Sequence, residues 1–197
     1  MRKVRFIIRG SDAVLEKGAD PQTATRAQLE AGNYQKTHRR FAGFGVTIES
    51  PAGSVRHGVD SNGTPWETKM VCDYGYIKGS LGVDGDHLDV FLGPDEDADT
   101  VYIVHQRDPG TGLYDEDKCM LGFASQDAAV EAYCAHYDCA ANFFGAVTPM
   151  PLARFREVVR HSRLLPAVVP EAGAMLDRPA AAQRYVARML VRLGAAA

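Results

Sequence analysis

Asp73-Tyr74-Gly75-Tyr76-Ile77-Lys78-Gly79-Ser80-Leu81-Gly82-Val83-Asp84-Gly85-Asp86-His87-Leu88-Asp89-Val90-Phe91-Leu92-Gly93 is a short apolar run, a glycine turn and a second short apolar run. Residues 74–77 and 88–92 are too short for helices and rich in strand-forming side chains, and Gly82-Val83-Asp84-Gly85 between them reads as a turn. The same texture extends in both directions. Upstream, 46–48 and 65–70 read as strands parted by Asp60-Ser61-Asn62-Gly63; downstream, 101–106 and 118–123 flank Asp108-Pro109-Gly110-Thr111-Gly112. Short strands at this spacing predict a small closed or nearly closed β-barrel rather than a parallel βαβ sheet.

Helical patterns lie outside this region. Ser125 caps a predicted helix over 126–137, Pro151 opens one over 151–164, and 179–193 carries Tyr185, Val186, Met189, Leu190 and Leu193 at helical spacing before Gly194. Near the start, 4–8 predicts a strand, and 21–31 predicts a helix capped by Asp20 and stopped by Gly32-Asn33. The expected fold class is α+β, a small barrel with helices packed outside. Its expected divisions are a strand/helix extension at 1–44, the barrel domain with helices at 45–165, and a linker with a C-terminal helix at 166–197. The apolar stripe of that last helix needs a surface to cover, on its own barrel or on a second copy in a homo-oligomer.

The chain has 197 residues, 46% of them hydrophobic, enough for a core without a disulfide or metal staple. With 22 Lys+Arg against 25 Asp+Glu, the net charge of −3 disfavours a nucleic-acid backbone or an anionic membrane as main partner. The apolar runs are too short to span a bilayer and MRKVRFIIRG lacks the pattern of a signal peptide, so a cytoplasmic protein is expected. Cys72, Cys119, Cys134 and Cys139 contain no Cys-x-x-Cys pair and read as reduced core thiols.

The chemistry sits in the turn. Asp84, Asp86 and Asp89 run directly into the apolar strand; Asp84 and Asp86 project to one side of an extended chain, and a bend at Gly85 or His87 brings Asp89 toward them. Converging carboxylates repel unless a divalent cation neutralises them, and an all-oxygen set favours Mg²⁺, Mn²⁺ or Ca²⁺ over zinc. The bland alternative is a polar Asp-Gly-Asp turn. An EF-hand does not fit, because its required glycine and final glutamate fall on Asp89 and Asp95. Neither a Gly-x-Ser-x-Gly elbow nor a Walker loop is present. His57, His105 and His136 read as structural, His87 as a solvent-side residue, and Asp95-Glu96-Asp97-Ala98-Asp99 as a solvated loop.

The whole segment resembles the signature of the soluble, magnesium-dependent inorganic pyrophosphatases. Tyr74-Gly75-Tyr76-Ile77 and Asp84-Gly85-Asp86-His87-Leu88-Asp89 match that signature in order and spacing, with His87 where proline is usual. Ile48-Glu49-Ser50-Pro51-Ala52-Gly53-Ser54 looks like the family's first strand, and Asp108 with Asp115-Glu116-Asp117-Lys118 like its second acidic element. Glu30-Ala31-Gly32-Asn33-Tyr34, Ser50-Pro51-Ala52-Gly53-Ser54-Val55-Arg56 and Asp115–Phe123 further resemble pyrophosphatase-like domains in polyvalent proteins of phages and conjugative elements.

The resemblance implies an OB-like barrel, a bacterial or phage-encoded protein, Mg²⁺ (or Mn²⁺) as cofactor and diphosphate as substrate. It implies Asp86 and Asp89 as catalytic residues, and Asp84, Asp86, Asp89, Asp108, Asp115, Glu116 and Glu49 as metal ligands. Arg56, Lys69, Tyr74, Lys118 and Tyr137 are the implied phosphate-binding set. Besides His87, three positions depart from the family pattern: Arg56 stands where it has lysine, keeping the charge, Gly58 where it has glutamate, and Asp138 where it has lysine. The alternatives are therefore a weakened binding module and a hydrolase of nucleoside polyphosphates. If Gly58 limits the rate, Gly58→Glu should raise it wherever the backbone accepts a side chain.

Overall fold

The computed structural model describes residues 7–9, 36–60, 63–82, 84–138, 140–162, 184–188 and 191. It is mostly β. The strands are β1 (Ile7–Arg9), β2 (Thr37–Phe41), β3 (Phe44–Ser50), β4 (Val55–Val59), β5 (Pro65–Lys69), β6 (Asp73–Ile77), β7 (Asp89–Leu92), β8 (Thr100–Arg107), β9 (Tyr114–Leu121) and β10 (Phe144–Pro151). The helices are α1 (Gln126–Cys134), α2 (Ala140–Phe143) and α3 (Leu152–His161). Residues 184–188 are helical within the expected 179–193 helix. The expected 21–31 helix and the linker around Pro166 and Pro170 lie outside the described residues, as does Cys139.

One sheet has three strands in the order β1-β4-β5; the other has seven, in the order β10-β8-β9-β7-β6-β3-β2. The larger sheet is mixed, since β7 pairs parallel with β9 while its other pairings are antiparallel. Closure of the expected barrel is not seen: among the described residues no pairing joins β2 to β10. Both edges are blunted. Pro149 and Pro151 remove N–H donors from β10, and His38, Arg39 and Arg40 leave β2 exposed and charged. Thr37–Phe41, assigned from sequence to the N-terminal extension, is thus an edge strand of the main sheet.

The period of two along the central strands builds two cores. Val90 and Leu92, Val101 and Ile103, and Cys119 and Leu121 point to one face, where Leu152, Phe155 and Val159 of α3 cover them. Phe91, Val104 and Met120 point to the other, under Ala129, Val130 and Tyr133 of α1, with Phe144 and Val186 beside them. Cover on both faces explains the nearly continuous apolar runs of β7 over 90–92, of β8 over 101–104 and of β9 over 119–121. Gly75 permits β6 to lie against β3, since a Cβ there would stand 1.9 Å from the Thr47 carbonyl oxygen.

The helix α1 begins as its sequence predicts, the Ser125 hydroxyl accepting from the Ala128 N–H at 3.2 Å. It stops at Cys134 rather than Tyr137, and tighter turns follow, with His136 N–H donating to Tyr133 O and Tyr137 N–H to Cys134 O. That tightening directs His136 and Tyr137 back toward the sheet. Cys72, Cys119 and Cys134 are free and buried, as expected of core thiols. Among the described residues no helix is long and apolar enough to cross a membrane.

Candidate active site

The polar ends of the second core face form the site. Asp89 is two residues before Phe91 on β7, and Lys118 and Glu116 are two and four before Met120 on β9, so each continues the row of side chains that packs under α1. Parallel pairing puts Asp89 directly opposite Lys118. The Lys118 ammonium donates to Asp89 Oδ2 at 2.5 Å and lies 2.8 Å from Glu116 Oε1, bridging the two carboxylates. Tyr74 donates its hydroxyl to the same Asp89 oxygen at 2.5 Å. The Arg56 guanidinium stacks on the Tyr74 ring with its carbon 4.3 Å from the centroid.

The electrostatics follow from this packing. Burial works against the Lys118 charge, but Asp89, followed by Tyr74 and Glu116, outweighs it and holds the ammonium protonated well above its ordinary range. Burial, reinforced by the Asp89 charge, pushes the Tyr74 hydroxyl up, so it remains a donor. Glu116 is raised by burial above all, against the pull of Lys118. Burial also raises Asp117, which is held by the His105 ring 2.6 Å away; the other nitrogen of that ring meets Thr148 Oγ1 at 2.8 Å.

Gly82, Asp84, His87, Leu88, Asp89, Glu116 and Asp117 line one shallow cleft. Asp84 sits on the turn, its Oδ1 accepting from the Asp86 N–H at 3.0 Å, and the exposed His87 ring stacks on Tyr76 with centroids 5.0 Å apart. The donor chemistry suits a hard divalent cation, because Asp84, Asp89, Glu116 and Asp117 offer only carboxylate oxygens. Their spacing is open. Among the described residues no three His, Cys, Asp or Glu side chains stand together as a ready cage.

The structure thus groups Asp84, Asp89, Glu116, Lys118, Tyr74 and Arg56 around one end of the sheet. Tyr137 joins them from beyond α1, donating to Gln106 Oε1 at 2.8 Å. Other sequence-derived site residues stand apart. Asp86 is exposed and does not line the cleft. Asp108 caps the β8–β9 turn, accepting from the Thr111 N–H at 2.7 Å and the Gly110 N–H at 3.0 Å, and these bonds lower its pKa. Asp115 is exposed and not among the cleft-lining residues, and Glu49 pairs with Lys36. Lys69 is exposed opposite Val55, while Thr68 shares the face of Arg56.

Gly58 is closed to a side chain. A Cβ there would lie 2.3 Å from the Trp66 ring on β5, so the glycine accommodates that indole and does not hold an open place for glutamate. Sequence reasoning passed over Gln106 and left Asp117 out of the candidate set. Gln106 had no motif to mark it; Asp117 was hidden in its acidic run, although alternation with Glu116 separates their faces.

Comparison with known proteins adds an independent line. Residues 26–160 match the family model described as Inorganic Pyrophosphatase. No curated protein matches. Among solved structures, an inorganic pyrophosphatase from Coxiella burnetii is 20% identical, with a TM-score of 0.36 over 59% of this chain and 90% of that one. An inorganic phosphatase from Anaplasma phagocytophilum is 17% identical, with a TM-score of 0.35 over 58% of this chain and 88% of that one.

Proposed function

The chain belongs to the inorganic pyrophosphatase family, and from that premise we propose that it is a Mg²⁺-dependent phosphoanhydride hydrolase acting on inorganic diphosphate. The observation that carries this reading is the pair of carboxylates Asp89 and Glu116, bridged by the buried Lys118 ammonium, on one cleft that Asp84 also lines. Asp84, Asp89 and Glu116 would hold the cation, with Asp86 at the rim. When bound, divalent ions acidify a water and neutralise charge developing on phosphate. The chain's own groups do the rest. Lys118, held charged, and Arg56, propped on Tyr74, draw in the anionic substrate and stabilise the leaving phosphate. Tyr74 fixes the Asp89 carboxylate through its hydroxyl. Asp89 is assigned to the attacking water, orienting it and taking its proton; Asp86, exposed outside the cleft lining, has no contact among the described residues that would give it this part.

The resemblance to the phage and conjugative-element branch fits this reading. A second reading, a binding module with weakened turnover, draws support from Trp66 over Gly58 and from the exposed Asp138. Phosphate release from diphosphate, triphosphate and nucleoside triphosphates, with and without Mg²⁺, separates the readings. Mg²⁺-dependent release from diphosphate is expected. Release from none of them, with calorimetric binding of a diphosphate analogue intact, would transfer the protein to the second reading.

A further inference from the structure

Gln106 is buried on β8 beneath the site, with an exposure of 7%. Its amide makes three hydrogen bonds: Nε2 donates to Glu116 Oε1 at 3.0 Å, and Oε1 accepts from Tyr133 Oη at 2.9 Å and Tyr137 Oη at 2.8 Å. The chemistry fixes the orientation. An ionised carboxylate only accepts, so the NH₂ end must face Glu116, and the carbonyl end then takes the single proton of each tyrosine. Tyr133 and Tyr137 are in turn locked by ring packing, on each other at 4.7 Å and on Phe144 and Phe143 at 6.1 and 4.8 Å.

We infer that Gln106 is a positioning residue, which aims Glu116 into the cation cleft and ties it to the tyrosine side of the site. The inference rests on the proposed reading of the cleft. One consequence is chemical: the Tyr137 proton goes to Gln106, so this hydroxyl is not a free donor. Another is mechanical: a carboxylate whose Oε1 receives both the Gln106 amide and the Lys118 ammonium has little rotational freedom to lose when its other oxygen takes a ligand.

The test measures Mn²⁺ binding to the full chain by calorimetry, without substrate. Gln106→Leu should lower Mn²⁺ affinity at least tenfold while circular dichroism stays native. In the exchanged pair Gln106→Glu with Glu116→Gln, the amide and carboxylate trade ends. Melting temperature should recover toward the parent while Mn²⁺ affinity stays low, because the carboxylate has left the cleft; a purely structural role would leave affinity unmoved in Gln106→Leu. If Gln106→Leu does not fold, Tyr137→Phe decides: it keeps the ring packing, removes one bond to Gln106, and should weaken Mn²⁺ at least threefold. Parent-like affinity in whichever of these variants folds overturns the inference alone. A parent that binds no Mn²⁺ and releases no phosphate overturns the reading beneath it and this inference together.

Discussion

The carboxylate of Asp89 already serves the Tyr74 hydroxyl and the Lys118 ammonium, and on the proposed reading a cation as well. Asp89→Asn keeps the shape but loses the charge, so Mg²⁺-dependent phosphate release should fall at least a hundredfold. Folding stability should fall by about 1–3 kcal/mol, as expected when a charged hydrogen bond is weakened in a buried setting. Thermal melts and a phosphate assay read both. Gly58→Glu should not raise the rate: Trp66 fills the space, so the variant should melt earlier and hydrolyse no faster. His136 supplies the pH dependence. Its Nε2 accepts from the Val71 N–H at 3.1 Å, its ring stacks on Phe91, and burial pushes its pKa down to about 4. The unfolded chain therefore binds the proton more tightly, and stability present above pH 6.5 is lost as pH falls toward about 4, by up to about 3 kcal/mol. Urea titrations across this window should show the loss, and His136→Phe should flatten it. Of the residues grouped at the cleft, Asp84, Asp89 and Lys118 were legible in position because a motif at fixed spacing announces them. Gln106 was not, because its value lies in what three distant residues bring to it.

Among the elements, the apolar runs of β7, β8 and β9 were readable because cover on both faces forces nearly continuous hydrophobicity. The strands β2, β4 and β10 were missed for the opposite reason. Two charged arginines, a glycine beside an exposed valine, and Gly145 with two interior-breaking prolines each make a strand resemble a loop. The turn before β7 was legible in position but not in the placing of its side chains: Asp84 receives the Asp86 N–H and lines the cleft, while Asp86 does not. Gly75 is where two elements meet most closely. Gly75→Ala would drive a methyl group into the Thr47 carbonyl, so β3 and β6 must separate; we expect loss of at least about 3 kcal/mol or failure to fold, read by circular dichroism and urea unfolding.

At the scale of the molecule, the second core is closed partly by a distant segment. Tyr185 stacks on Phe144 at 5.2 Å, Val186 is 6% exposed, and Tyr185 Oη accepts from Gln126 Nε2 at 3.0 Å. Removing residues from 184 onward should cost about 3 kcal/mol through lost apolar cover. It should leave the Mn²⁺-dependent rise in melting temperature in place, since every cleft-lining residue precedes it. This segment's stripe was plain in the sequence; which surface it covers was not, because that surface is assembled from α1 and β10.

The parallel pairing of β7 with β9 carries a kinetic consequence. Asp89 meets Lys118 only after the chain has gone out through β8 and returned, so the cleft is joined across the one parallel pairing among the described strands. Its closure belongs late on the folding route, after the antiparallel neighbours have zipped. A cation that recognises the closed cleft then stabilises the native state but not the transition state. In stopped-flow chevrons, Mn²⁺ should slow the unfolding arm in proportion to its affinity and leave the refolding arm nearly unmoved.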